Sequence, residues 1–234
     1  NALWTQWGRV DAAGCLAHFA ETPRGKSRSD ARHIMEGWYE TDPAGALAWA
    51  AGSHSSAHEA AAAAYALTRS AEGDVKKLEA ALLSRGAGDA TVKDCLQDYF
   101  DLASVSAGRN DSGFIYEQMP EALKPGAWGV AMQRLNYTDP QAAVDWLTKH
   151  ASDPGRDYSR ASRLVAELSR EDPAGTAAWA ARLPDDPAQG IAHPAVMAFS
   201  LWRQSDPAAA ATWLRAQPEP AAWVAKIKAD TSLP

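Results

Sequence analysis

Four times this chain writes Asp-Pro, then alanines, then a tryptophan seven residues after the aspartate. The copies are Asp42-Pro43 with Trp49, Asp139-Pro140 with Trp146, Asp172-Pro173 with Trp179, and Asp206-Pro207 with Trp213. Four residues before each Asp stand Trp38, Leu135, Leu168 and Trp202. The last three Asp are 33 and 34 residues apart, and the 97 residues from Asp42 to Asp139 are close to three periods. A chain that repeats one short unit cannot bury each unit's apolar face alone, so it must stack the copies on one another.

Weaker copies fill the gaps. Leu67 with Ala71, Val75 and Leu78 fits one, and Leu102 with a looser stretch to Phe114 fits another. Trp7, Asp11, Cys15 and His18-Phe19 supply an earlier one, with His18 in the Trp slot. Seven units are thus expected, beginning near Asp11, Asp42, Ala71, Ser106, Asp139, Asp172 and Asp206, within a single domain over residues 1–234.

Each unit reads as two helices. Asp before Pro is a helix start: the carboxylate caps free N–H groups, and Pro at the first position loses no needed donor. Positions four and seven beyond the Asp share a helical face, so Ala143 with Trp146 and Ala210 with Trp213 should point inward. The short helix ends near Gly52, Ser152, Leu183 and Gln217. A polar linker follows, then a longer helix, such as Ser56 to Arg69, where Ser56 and Glu59 have capping-box spacing. Composition agrees: 51 Ala and 10 Trp among 234 residues suit close-packed helices with large fillers, and no segment alternates with the two-residue period of a strand.

The pattern W-x3-D-P-x-A-A-x-x-W-L, as in Trp202 to Leu214, resembles Ala/Trp-rich tandem helical repeats of bacterial proteins without assigned activity. The resemblance implies a right-handed α-solenoid of the broad tetratricopeptide- or HEAT-like type, although the tetratricopeptide signature residues are not reproduced. The start at Asn1 suggests a portion of a longer protein.

Several stretches resemble functional motifs but fit the repeat. Ala20 to Ser27 matches a loose phosphate-binding loop, but it follows a helix, whereas such a loop follows a strand. His54 and His58 have zinc-ligand spacing with no third ligand in view, and read as exposed histidines near a helix start. Asn110-Asp111-Ser112-Gly113, with Phe114, Tyr116 and Tyr99-Phe100, is a loop in the most degenerate unit and a weak candidate surface. Cys15 and Cys95 read as small buried hydrophobes in different units. No catalytic, cofactor or metal residue is therefore assigned.

A net charge of −6 with scattered Arg and Lys gives no footprint for nucleic acid, and no apolar run is long enough to span a membrane. The expected function is a non-enzymatic scaffold that binds a protein or peptide on a concave helical surface. The alternatives are a carbohydrate-active or carbohydrate-binding all-α protein, in which paired carboxylates act and aromatics stack on sugars, and a structural spacer within a larger protein.

Overall fold

The computed structural model describes residues 2–21, 27–54, 56–83, 90–107, 111–185 and 193–229. Among them are fourteen α-helices, one 3-10 turn and no strand. The chain divides into two compact units, Asn1–Val130 and Ala131–Pro234. The first contains α1 (Ala2–Glu21), α2 (Arg28–Thr41), α3 (Pro43–Ala50), α4 (Ala57–Ala71), α5 (Val75–Leu82), α6 (Ala90–Ala107), α7 (Ser112–Glu117) and the start of α8 (Lys124–Thr138). The second contains the rest of α8, α9 (Pro140–His150), a 3-10 turn (Tyr158–Ala161) leading into α10 (Ser162–Glu171), α11 (Pro173–Ala180), α12 (Pro194–Ser205), α13 (Pro207–Arg215) and α14 (Pro220–Ala229).

The Asp-Pro pairs act as corners of one residue. At Asp42, Asp139, Asp172 and Asp206 the backbone N–H donates to the carbonyl four residues back, at Trp38, Leu135, Leu168 and Trp202, over 2.8–3.0 Å. Each carboxylate accepts from the N–H three residues on, at Gly45, Ala142, Gly175 and Ala209, over 2.8–3.0 Å. One Asp therefore closes a long helix and opens a short one with no linker between them. Each such cap contributes about 1 kcal/mol.

Asp11 has the same backbone (φ −152, ψ 72) and accepts from the Gly14 N–H at 3.0 Å, which kinks α1 into two helices. The residues that cap α5 and α7 are Asp74 and Asp111. Ala71 is the last residue of α4 and Ser106 lies inside α6. Aspartates cap α-helical starts at 11, 42, 74, 111, 139, 172 and 206, and Asp157 caps the 3-10 turn. Neither Asp74 nor Asp111 precedes a Pro, which is why the motif does not expose them. Ahead of Asp74 the chain turns through Glu72 (φ 53) and Gly73 (φ 81), a left-handed exit from α4 that delays the cap.

Packing within the first unit depends on small residues. A Cβ built at Gly8 would fall on the Ile34 carbonyl oxygen, and one built at Gly37 on that of Thr5. α1 and α2 thus meet backbone to backbone at two reciprocal points, which only glycine permits. α4 lies between α2 and α6, and Ala60–Ala64 and Ala66 are fully buried along it. In the second unit larger residues fill the space: α12 packs on α10, α11, α13 and α14 and buries Val196, Phe199 and Trp202.

The repeated Trp slot proves uneven. Trp146 and Trp179 are buried, whereas Trp49 and Trp213 are half-exposed. The aromatics flanking the Asp-Pro corners meet, with ring centroids 6.1 Å apart for Trp38–Trp49 and 6.3 Å for Trp202–Trp213. In the first copy, Phe19 enters the core and His18 is exposed, so the filler sits one position later than the Trp spacing implies. Leu102 is exposed, and the core face of that helix carries Val92, Cys95, Leu96 and Phe100 instead. Cys15 and Cys95 are buried free thiols.

Candidate functional site

Two places gather polar side chains against helical surface. In the first unit, Arg28 and Arg32 on α2 pair with Asp94 and Asp98 on α6, the second pair at 2.5 Å. Both pairs have i, i+4 spacing and pass over α4. Adjacent helices lie about 8–10 Å apart, so alternate helices of a flat row would be about 16–20 Å apart. The row must bend toward this face for an Arg and an Asp to meet, and the alanines of α4 leave the path clear. Burial raises the Asp98 carboxyl above its ordinary pKa, with Arg32 acting in the opposite direction. These four charges are thus paired with each other.

The second place is an open groove of about 420 Å³ bordered by α11, α13 and α14. Ala178, Ala181 and Ala222 give it small-residue walls. Trp213 and Trp223 form a corner, with centroids 6.3 Å apart and planes at 59°. Behind them Trp213 rests on Trp202 and Phe199, and the edge of His193 meets Trp223 at 5.5 Å. Lys226 lies over the Trp223 ring at 4.5 Å and is held by both oxygens of Asp185, at 2.7 and 2.8 Å.

His193 anchors this arrangement. Its Nδ1 accepts from the Ala195 N–H at 3.2 Å, capping α12, which leaves Nε2–H to donate to the Leu183 carbonyl at 3.0 Å. Asp185 is 3.8 Å from Nε2. Burial lowers the imidazole below its ordinary pKa, aided by Lys226 and opposed by the Leu183 and Asp185 interactions. Both ring nitrogens are committed in the neutral form.

The motifs singled out in the sequence are scattered. Residues 22–26 of the phosphate-loop match lie outside the described residues. Ser56 and Glu59 form the expected capping box, so His54 precedes the helix and His58 is within it. Neither histidine is fully exposed as expected: His54 tilts against Trp49 at 4.1 Å, while His58 meets Phe19 edge-on. Aromatic neighbours draw the two rings to different partners. Among the described residues no group of His, Cys, Asp and Glu is arranged to hold a metal. In the degenerate unit Phe100, Ser112 and Tyr116 are buried, and Phe114 is exposed.

The groove residues escaped sequence reasoning because Trp213 occupies the same slot as the buried Trp179. Trp223 follows Glu219-Pro220, a second acid–proline helix start that reads as a linker. Comparison with protein-family models, curated proteins and solved structures returns no match for this chain. Sequence and structure together define an all-α protein, in which no described helix is long and apolar enough to cross a membrane.

Proposed function

We propose that this chain is a non-enzymatic interaction scaffold of about seven two-helix units in α-solenoid arrangement, resembling the Ala/Trp-rich helical repeats. It binds an extended protein or peptide segment. The observation that carries this reading is the serial packing of long helices, α2 on α4 on α6 in one unit and α10 on α12 in the other. At Asp42, Asp139, Asp172 and Asp206 a long helix turns into its short partner at a single residue, an arrangement that generates repeat surfaces rather than an enclosed reaction chamber. The groove at Trp213 and Trp223 is the contact surface in this reading, since half-exposed aromatic rings with nearby polar groups mark binding clefts.

Site-specific photo-crosslinking in the full-length protein tests it. A crosslinker at Ala178, in the groove, should capture one discrete partner, whereas one at the exposed Ala13 of α1 should not. Equal, diffuse labelling from both positions would sink the proposal.

A further inference from the structure

We infer that the Trp213–Trp223 groove takes an acidic, proline-containing segment in extended polyproline conformation, an inference that rests on the scaffold reading above.

The apolar part of the argument is geometric. The two indole planes meet at 59° with centroids 6.3 Å apart, which presents a corner of flat surfaces rather than a deep pocket. Ala178, Ala181 and Ala222 around it carry no side chain long enough to fill it. Proline rings stack on such faces, and a polyproline helix keeps its shape without internal hydrogen bonds. Such a ligand is stiff before binding, which lowers the ordering cost. The receptor side is set in advance as well. Trp223 is fixed by the His193 edge and by Lys226, and Trp213 by Trp202 and Phe199.

Charge selects the flanking residues. Lys226 is neutralised by Asp185. Glu219 is at the N-terminal boundary of α14, where its carbonyl accepts the Ala222 and Trp223 N–H groups and the helix dipole offsets its carboxylate. Arg182 is exposed and makes no ion pair or hydrogen bond through its side chain among the described residues. It is the groove's one unspent cation there, and it fits a carboxylate beside the proline.

Calorimetric titration with synthetic peptides repeating Glu-Pro-Pro, Lys-Pro-Pro and Glu-Ala-Ala tests the inference. The wild-type chain should bind Glu-Pro-Pro best, with the other two at least about tenfold weaker, the loss expected of one charge-assisted contact or of the ring stack. Arg182→Glu, an exposed change that leaves the fold intact, should weaken Glu-Pro-Pro about tenfold and reverse the preference toward Lys-Pro-Pro. Absence of Glu-Pro-Pro binding overturns the inference, as does unchanged affinity in Arg182→Glu or equal binding of Glu-Ala-Ala. A discrete crosslink from Ala178 without Glu-Pro-Pro binding leaves the scaffold standing and removes only this ligand; loss of both removes the scaffold as well.

Discussion

The two units stack helices by opposite means. In the first, glycines and alanines bring backbones together: Gly8 and Gly37 lock α1 to α2, and the alanine-lined α4 lets Arg28 and Arg32 reach across to α6. In the second, aromatic rings hold helices apart and fill the space between them, with Phe199, Trp202 and Trp223 each set against Trp213. Close backbone approach leaves no room for a ligand, and the charges over it are consumed internally. Ring packing leaves faces of the outermost rings uncovered. The groove follows from the second strategy.

The contrast breaks most readily at Phe199. Phe199→Ala should cost about 3–5 kcal/mol, because the cavity opens beneath both Trp202 and Trp213. Hydrogen exchange should show the loss in residues 131–234 and little change in 1–130. Gly37→Ala should follow at about 3 kcal/mol, the upper end of overpacking, since the clash is with a backbone carbonyl and no rotamer relieves it. Its effect should fall in the first unit. If thermal unfolding of Gly37→Ala matches wild type, the backbone contact is not what joins α1 to α2.

pH should separate the units next. The His193 pKa in the folded chain lies below its ordinary value, so its contribution is intact above about pH 6.5. It is lost as pH falls through the lowered folded value, since protonation removes the acceptor for the Ala195 N–H. Asp98 has a raised pKa, so its term is fully present below the ordinary carboxylate value and declines as pH rises through the folded one. Acidification should therefore loosen the α11–α12 connection while Asp98 does nothing to weaken α6. A protection factor at Ala195, corrected for the intrinsic pH dependence of amide exchange, that does not fall between pH 7 and 5 would contradict the His193 assignment.

The smallest effect is expected at Gly175. A Cβ there would meet the Asp172 carboxylate, a movable group, whereas at Gly37 it meets backbone. Ala142 and Ala209 already occupy the same position behind Asp139 and Asp206 with their caps intact. Gly175→Ala should thus stabilise by up to about 1 kcal/mol through helix propensity, seen as a slightly higher melting temperature.

Much of the helical framework was legible in the sequence. Asp-Pro predicted corners at Asp42, Asp139, Asp172 and Asp206, and Ser56 with Glu59 predicted the start of α4. Where proline was missing the reading drifted, to Ala71 and Ser106, while the caps are Asp74 and Asp111. The candidate site was not legible. Trp179 and Trp213 hold identical places in their units, yet one is buried and the other lines the groove.

The division has a physical cause. A helix cap is a hydrogen bond between residues three apart, so the local sequence determines it before any tertiary contact exists. The aspartate corners and the all-helical character belong to that category. Burial is set by whichever helix lies against a residue, and that neighbour comes from elsewhere in the chain. Arg28 meets Asp94 across α4, and Lys226 meets Asp185 across two intervening helices. Only the tertiary structure decided those pairings, and with them which tryptophans remain open to a ligand.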